Sequence, residues 1–318
     1  MKILMFGWEF PPHISGGLGT ACFGLTKSLA KSDTQILFVV PRADGETTAK
    51  ELEIINASNI LVPLSSEEVK QSERKHIRST KPTKEKASKI ITLRVNADLS
   101  PYNSPDVLSG GTSISKWNYQ FSKGVVQAGG KVRYQFSGSY GPNLMEEVER
   151  YARTATEIAE KKSFDIIHAH DWLTFPAGIA AKKVSAKPLV VHIHATEFDR
   201  TGNTVDQRIF KIEREGMEAA DRIIAVSQWT KNILTKHYSI PPAKVMVVHN
   251  GALAKKQNSD IQQLPIGKKV ITFLGRITYQ KGPEYFIDAA AKVLEKKHYS
   301  ITSDLSKAKA ETVYLKFV

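Results

Sequence analysis

Short, nearly continuous runs of Val, Ile and Leu alternate along this chain with longer amphipathic stretches, and no other feature limits its fold as tightly. The apolar runs fall at 2–6, 35–40, 89–95, 164–168, 188–193, 222–226, 244–248 and 269–274. They lack polar alternation, which is the pattern of strands covered on both faces. Between them, 18–31, 143–162, 175–183, 206–220, 228–237 and 282–297 have helical spacing. In 143–162, for example, Leu144, Val148, Tyr151, Ala155 and Ile158 recur at three- and four-residue steps behind the breaker Gly141-Pro142. Alternating strands and helices mean βαβ units, so the spacing predicts an α/β protein built on a parallel sheet.

A length of 318 residues is enough for two domains. The polar stretch 253–268 reads as a linker between an N-terminal domain, 1–252, and a C-terminal segment, 269–318. That segment is expected to supply one strand, one helix and an irregular tail from His298. A single βα pair cannot bury its own apolar face, so the second domain reads as truncated. Two stretches break the rhythm. Residues 65–88 are rich in Lys, Glu, Ser and Thr and read as a surface insertion. Residues 99–141 are rich in Gly and Ser with aromatic interruptions, and loops of this kind form substrate walls on α/β scaffolds.

The formal net charge is +13, which suits anionic partners. Most of the excess sits in two places: 64–94 holds nine Lys/Arg against four Asp/Glu, and 268–318 holds ten against five. No single groove carries it and no nucleic-acid motif accompanies it, so nucleic acid is not an expected partner. One cysteine, Cys22, excludes an internal disulfide framework. No window is apolar enough to span a membrane and no signal-peptide core follows the start, so the expectation is a soluble cytoplasmic protein of undetermined oligomeric state.

Candidate chemistry lies where predicted strands end. Gly16-Gly17-Leu18-Gly19 follows the first strand and opens a helix, a setting in which backbone N–H groups meet a phosphate or an anionic sugar. His168-Ala169-His170-Asp171-Trp172 closes one later strand and His192-Ile193-His194-Ala195-Thr196-Glu197 the next. Ligands of open parallel sheets sit at such carboxyl ends. His168 and His170 are expected to point in different directions, so that at most one faces the cleft with Asp171. His194 is preferred over His192 because it lies further toward the loop. The His-x-His spacing has no third ligand at a recognisable distance, so no metal site is expected. Arg276 and Lys281 frame a strand-to-helix turn, where two cations fit a diphosphate.

Taken in order, Ser15-Gly16-Gly17-Leu18, His168–Trp172, Val191–Glu197, Ala225-Val226-Ser227, Asn250-Gly251 and Gly275-Arg276 with Lys281-Gly282 resemble the retaining GT-B glycosyltransferases, most closely the glycogen and starch synthase group. The resemblance spans about residues 1–294. It implies a Rossmann-like, acceptor-side N-terminal domain and the start of a second, nucleotide-sugar-binding one. It further implies transfer of glucose from ADP-glucose or UDP-glucose to an α-1,4-glucan with retention, and no cofactor or metal. On the same resemblance His194 and Asp171 are the catalytic pair. Gly16, Gly17, Asn250, Arg276 and Lys281 bind the donor, and His170, Glu197, Trp117 and Tyr119 are candidates for the acceptor side. The family's lysine two residues before the glycine pair is Ile14 here, and its late acidic motif of two glutamates does not occur. The chain as it stands is therefore expected to be inactive or nearly so. A non-catalytic glucan- or partner-binding remnant and a nucleotide-sugar epimerase are the competing readings.

Overall fold

In the computed structural model the described residues are 1–12, 16–43, 48–49, 51–65, 125–127, 131–251, 269–275, 277–297, 300–302 and 312–317. The predicted strand 89–95, most of the polar insertion, Trp117, Tyr119, the linker and Arg276 lie outside them.

The elements run β1 (Lys2–Phe6), α1 (Gly17–Ala30), β2 (Gln35–Val40), β3 (Thr48–Ala49), β4 (Leu52–Asn56), β5 (Leu61–Pro63), β6 (Val125–Gln127), β7 (Lys131–Arg133), α2 (Leu144–Lys161) and β8 (Ile166–His170). They continue as α3 (Phe175–Ser185), β9 (Leu189–Ile193), α4 (Glu197–Thr201), α5 (Gln207–Ala219), β10 (Arg222–Ala225), α6 (Gln228–His237) and β11 (Val245–Val247). The last are β12 (Lys269–Phe273), α7 (Pro283–Lys297), β13 (Ser300–Thr302) and β14 (Thr312–Phe317).

The chain divides into two compact units. The first is organised by an eight-stranded sheet of order β11-β10-β9-β8-β1-β2-β4-β3. Seven of these strands are parallel and β3 alone pairs antiparallel. The order has a consequence for function. The chain leaves β1 toward β2 and β4, then returns to lay β8 on the other flank of β1. The β1–β8 boundary is thus the topological switch point, where crevices open beyond the strands' carboxyl ends. A separate antiparallel sheet, β5-β7-β6, joins two regions that lacked a strand signal.

Both faces of the large sheet are covered, as the continuous apolar runs require. On one face Ile3, Met5, Ile36, Phe38 and Val40 pack with Phe10 and with Cys22 of α1. On the other, Tyr151 of α2 lies edge-on to Phe6 and Trp8, with its hydroxyl 2.8 Å from the Val39 carbonyl and 3.1 Å from that of Gly7. Gly7 is glycine for a steric reason: a Cβ there would stand 2.5 Å from the Phe38 ring. Gly216 of α5 likewise leaves room for Phe175, whose ring would come within 2.4 Å of an added Cβ.

The second unit differs from its expectation. The tail beyond 298 contains two strands, and β12-β14-β13 form a parallel three-stranded sheet. The apolar run in Thr312–Phe317 is short and follows a polar stretch. Its strand character comes from partners on both sides, Val313 facing Lys269 and Ile301 at once. Helix α4, inside the stretch assigned by sequence to the first domain, belongs to this unit. There Gly202, at φ +64°, seats the Tyr279 hydroxyl 2.6 Å from where a Cβ would be.

Candidate active site

The carboxyl ends of β1, β8 and β9 carry the candidate residues of the first unit. Strand β8 runs two residues later than its apolar pattern predicts, because Ile166 rather than Phe164 starts the ladder with Ile3 of β1. His170 is therefore the last strand residue and Asp171 the turn. Asp171 adopts φ +58°, a conformation that non-glycine residues hold only when the surroundings enforce it. The enforcement is visible. Its N–H donates to the His192 carbonyl at 2.9 Å, and its Oδ1 accepts the His194 N–H at 2.7 Å. The Thr174 N–H donates to its carbonyl at 3.0 Å, and the Thr174 hydroxyl lies 2.9 Å from the His170 carbonyl. Asp171 thus clamps the loop after β8 to the loop after β9.

The four histidines do not divide between faces. Residues two apart on a strand point the same way, and the structure stacks His168 on His170 with ring centroids 4.3 Å apart. The expectation that the two point in different directions is corrected by this pleat geometry. His192 and His194 stack at 4.3 Å as well, and His170 pairs with His192 across the β8–β9 register. The result is a two-by-two array of imidazoles on the α1 side of the sheet, since His168 is in register with Met5 of the α1-facing core. His170 Nδ1 lies 3.1 Å from His194 Nε2. Burial strips solvent from the rings and disfavours their charged form, and each ring's neighbours in the array add to this. His168 and His192 are each pushed down to about 3, and His170 well below the usual histidine range. His194 is the partly exposed member.

Beyond β1, Glu9 is buried, although it is a carboxylate flanked by aromatics. Its Oε2 accepts the Gly16 N–H at 3.1 Å and its Oε1 accepts the Tyr140 hydroxyl at 2.6 Å. Gly16 is the extended N-cap of α1, and α1 begins without a side-chain cap or an acidic residue in its first turn. One turn further, the Cys22 thiol sits in the same corner. Burial pushes its pKa up, and the nearby charges of Asp171 and Glu9 push it further. Cys22 also falls within 4.8 Å of ring nitrogens of His170 and His194. Gly16, Asp171, His170 and His194 are accordingly brought to one sheet edge, and Glu9, Cys22 and Tyr140 join them.

Sequence reading had missed these last three. Glu9 gave a usable signal in Trp8-Glu9-Phe10, a charge set between aromatics just before the glycine turn. Tyr140 gave none. The expectation of no third metal-type ligand is corrected too: His192 reaches His168 and His170 from the neighbouring strand, with donor atoms within 4.8 Å.

The remaining candidates lie elsewhere. Asn250 is exposed after β11 in the first unit. Glu197 opens α4 of the second unit, buried and 3.9 Å from Arg200. Lys281 is exposed in the 3₁₀ turn Tyr279–Lys281, just before Gly282 at φ +58°. No helix among the described residues is long and apolar enough to cross a membrane.

Residues 125–252 match the family model Glycosyltransferase Family 4. An uncharacterized glycosyltransferase of Methanocaldococcus jannaschii is 26 % identical over 311 residues, covering 93 % of this chain and 60 % of that protein. A glycogen synthase of Mycobacterium tuberculosis is 22 % identical over 306 residues, covering 95 % and 60 %. The chain thus spans about 60 % of the length of these curated relatives. The sucrose-phosphate synthase structure from Thermosynechococcus elongatus shares the fold with a TM-score of 0.54 at 12 % identity, over 92 % of this chain and 60 % of that one. The likeness to glycosyltransferases is thus carried by residues 125–252 in the family model and by relatives of 22–26 % identity over most of this chain.

Proposed function

We propose that this chain takes part in transfer of glucose from ADP-glucose or UDP-glucose to an α-1,4-glucan, with retention of the anomeric configuration. The observation that carries the reading is Asp171. Its carboxylate is fixed by the His194 N–H across the ends of β8 and β9, at the switch point and beside the α1 N-terminus.

In this reading the Gly16–Gly17 turn approaches the donor phosphates, where a side chain would intrude. Asp171 and His194 stand at the reacting sugar. His170 is fully buried and acts through His194 rather than on the acceptor. Asn250, Arg276 and Lys281 are assigned to the donor, the two cations to its diphosphate. Glu197, Trp117 and Tyr119 are assigned to the acceptor side. The anomeric C–O bond to phosphate breaks, the acceptor hydroxyl oxygen bonds to that carbon from the same face, and its proton passes to the departing phosphate oxygen. Positive charge builds on the sugar and negative charge on the diphosphate. A carboxylate near the first and cations near the second stabilise this transition state, each such contact contributing about 2.7–4 kcal/mol.

The test is transfer of radiolabel from ADP-glucose and from UDP-glucose to glycogen. The expected result is weak but measurable incorporation, in keeping with the low activity expected of the chain, that falls by about a further 100-fold in Asp171→Asn with thermal stability kept. No incorporation from either donor, with retained glucan binding measured by calorimetry, would instead make the chain a glucan-binding module.

A further inference from the structure

The imidazole array holds more unsatisfied nitrogen than sugar transfer uses. His168, His170 and His192 are 8 %, 0 % and 5 % exposed. The Nε2 atoms of all three, and Nδ1 of His192, are buried without a hydrogen-bond partner. A neutral imidazole always presents one N–H and one lone pair, and buried polar atoms left unmatched in a native protein mark places where an ion or water completes the structure.

The donor set is specific. One nitrogen from each of the three rings lies within 4.8 Å of the others. Ligands on a tetrahedral ion with bonds of 2.0–2.1 Å stand roughly 3.3 Å apart; the three rings lie with their planes 3–32° apart, so binding turns them out of the stack until their in-plane lone pairs converge. All three donors are imidazoles, which suit zinc, copper or nickel and not magnesium or calcium. Burial keeps the rings neutral, the form that ligates. With its proton on Nδ1, His170 donates to His194 Nε2 at 3.1 Å and keeps its Nε2 lone pair available to an ion.

We propose that His168, His170 and His192 bind one zinc-type divalent ion between β8 and β9, beneath the Asp171 clamp. The site goes beyond the glucosyl-transfer reading and requires no nucleotide sugar. Its role is positional: it ties the two strands whose ends carry Asp171 and His194.

The experiment uses the full chain without a polyhistidine tag, stripped with chelator and re-equilibrated with zinc or cobalt alone. The expected result is one tightly held zinc per chain by atomic emission after gel filtration, and cobalt uptake with the visible absorption of a four-coordinate site. His168→Gln and His192→Gln preserve shape and neutrality, and each is expected to weaken zinc binding about 100-fold. His237→Gln and His249→Gln, outside the array, leave binding unchanged. Substoichiometric zinc in the wild-type chain, a cobalt spectrum like that of the hydrated ion, or zinc lost on changing His237 or His249 would each overturn the proposal. Because no substrate enters the measurement, failure of glucosyl transfer leaves this result unaffected, and the converse holds.

Discussion

Two polar clusters share one edge of the large sheet, and they are built on opposite terms. The carboxylate cluster is supplied with donors. Glu9 receives the Gly16 N–H and the Tyr140 hydroxyl, and Asp171 receives the His194 N–H. The imidazole cluster beside it leaves four buried ring nitrogens unmatched. A satisfied network rigidifies the backbone around it, whereas an unsatisfied one costs free energy until something binds. The contrast separates a frame that holds loops in place from a buried imidazole array whose nitrogens the protein itself leaves unmatched.

The largest expected effect breaks the imidazole side with acid. The folded pKa of His168 and His192 is about 3, against about 6.5 unfolded. These are bases with depressed values, so protonation favours the unfolded chain. Their stabilising contribution is complete above about pH 6.5 and is lost progressively as pH falls toward 3. With chelator present, each of these histidines is expected to cost about 2 kcal/mol of unfolding free energy between pH 7 and pH 5. Urea titrations at both pH values measure it, and His168→Gln should flatten the pH dependence. Unchanged stability at pH 5 would mean the array is solvated.

Next comes the carboxylate side read through chemistry. Asp171→Asn keeps a side-chain oxygen for the His194 N–H but removes the charge. Activity is expected to fall about 100-fold, near 2.7 kcal/mol in the barrier, with the melting temperature nearly unmoved. A proportional loss of both would assign Asp171 to folding alone. Glu9→Ala is smaller. It strands the Tyr140 hydroxyl and the Gly16 N–H and should cost about 1–3 kcal/mol in denaturant titration.

Thr174→Val, which removes the hydroxyl facing the His170 carbonyl, should cost about 1 kcal/mol. Trp229 sharpens the comparison from outside. It is 71 % exposed on α6, and Trp229→Ser should change stability by no more than about 0.5 kcal/mol.

Much of the fold was legible. β1 and β2 fall where their apolar runs do, and α6 matches its helical pattern end to end. The reason is that strands buried on both faces must be apolar throughout, and helices between them must show a stripe. The strand Leu52–Asn56 escaped because Glu53 and Asn56 interrupt its run. The end of β8 was misplaced by two residues, because register with β1 and not local hydrophobicity sets where a strand stops. That small shift made His170 the last strand residue and left Asp171 directly behind it.

The candidate site was legible in kind but not in arrangement. Gly16, Asp171 and His194 carry local signals, a glycine turn and polar residues closing apolar runs. Their common location rests on the crossover that returns β8 to the flank of β1.

What local composition and periodicity decide here is the class of fold and the chemical types along its rim, because each depends on neighbours a few residues away. Which histidines stack, which nitrogens are orphaned and which carboxylates find donors were decided only when strands 24 residues apart in His170 and His194 came to lie side by side. Hydrogen bonds and ligand sets are satisfied over about three ångströms of space, and no spacing along the chain encodes which strand will supply the other half.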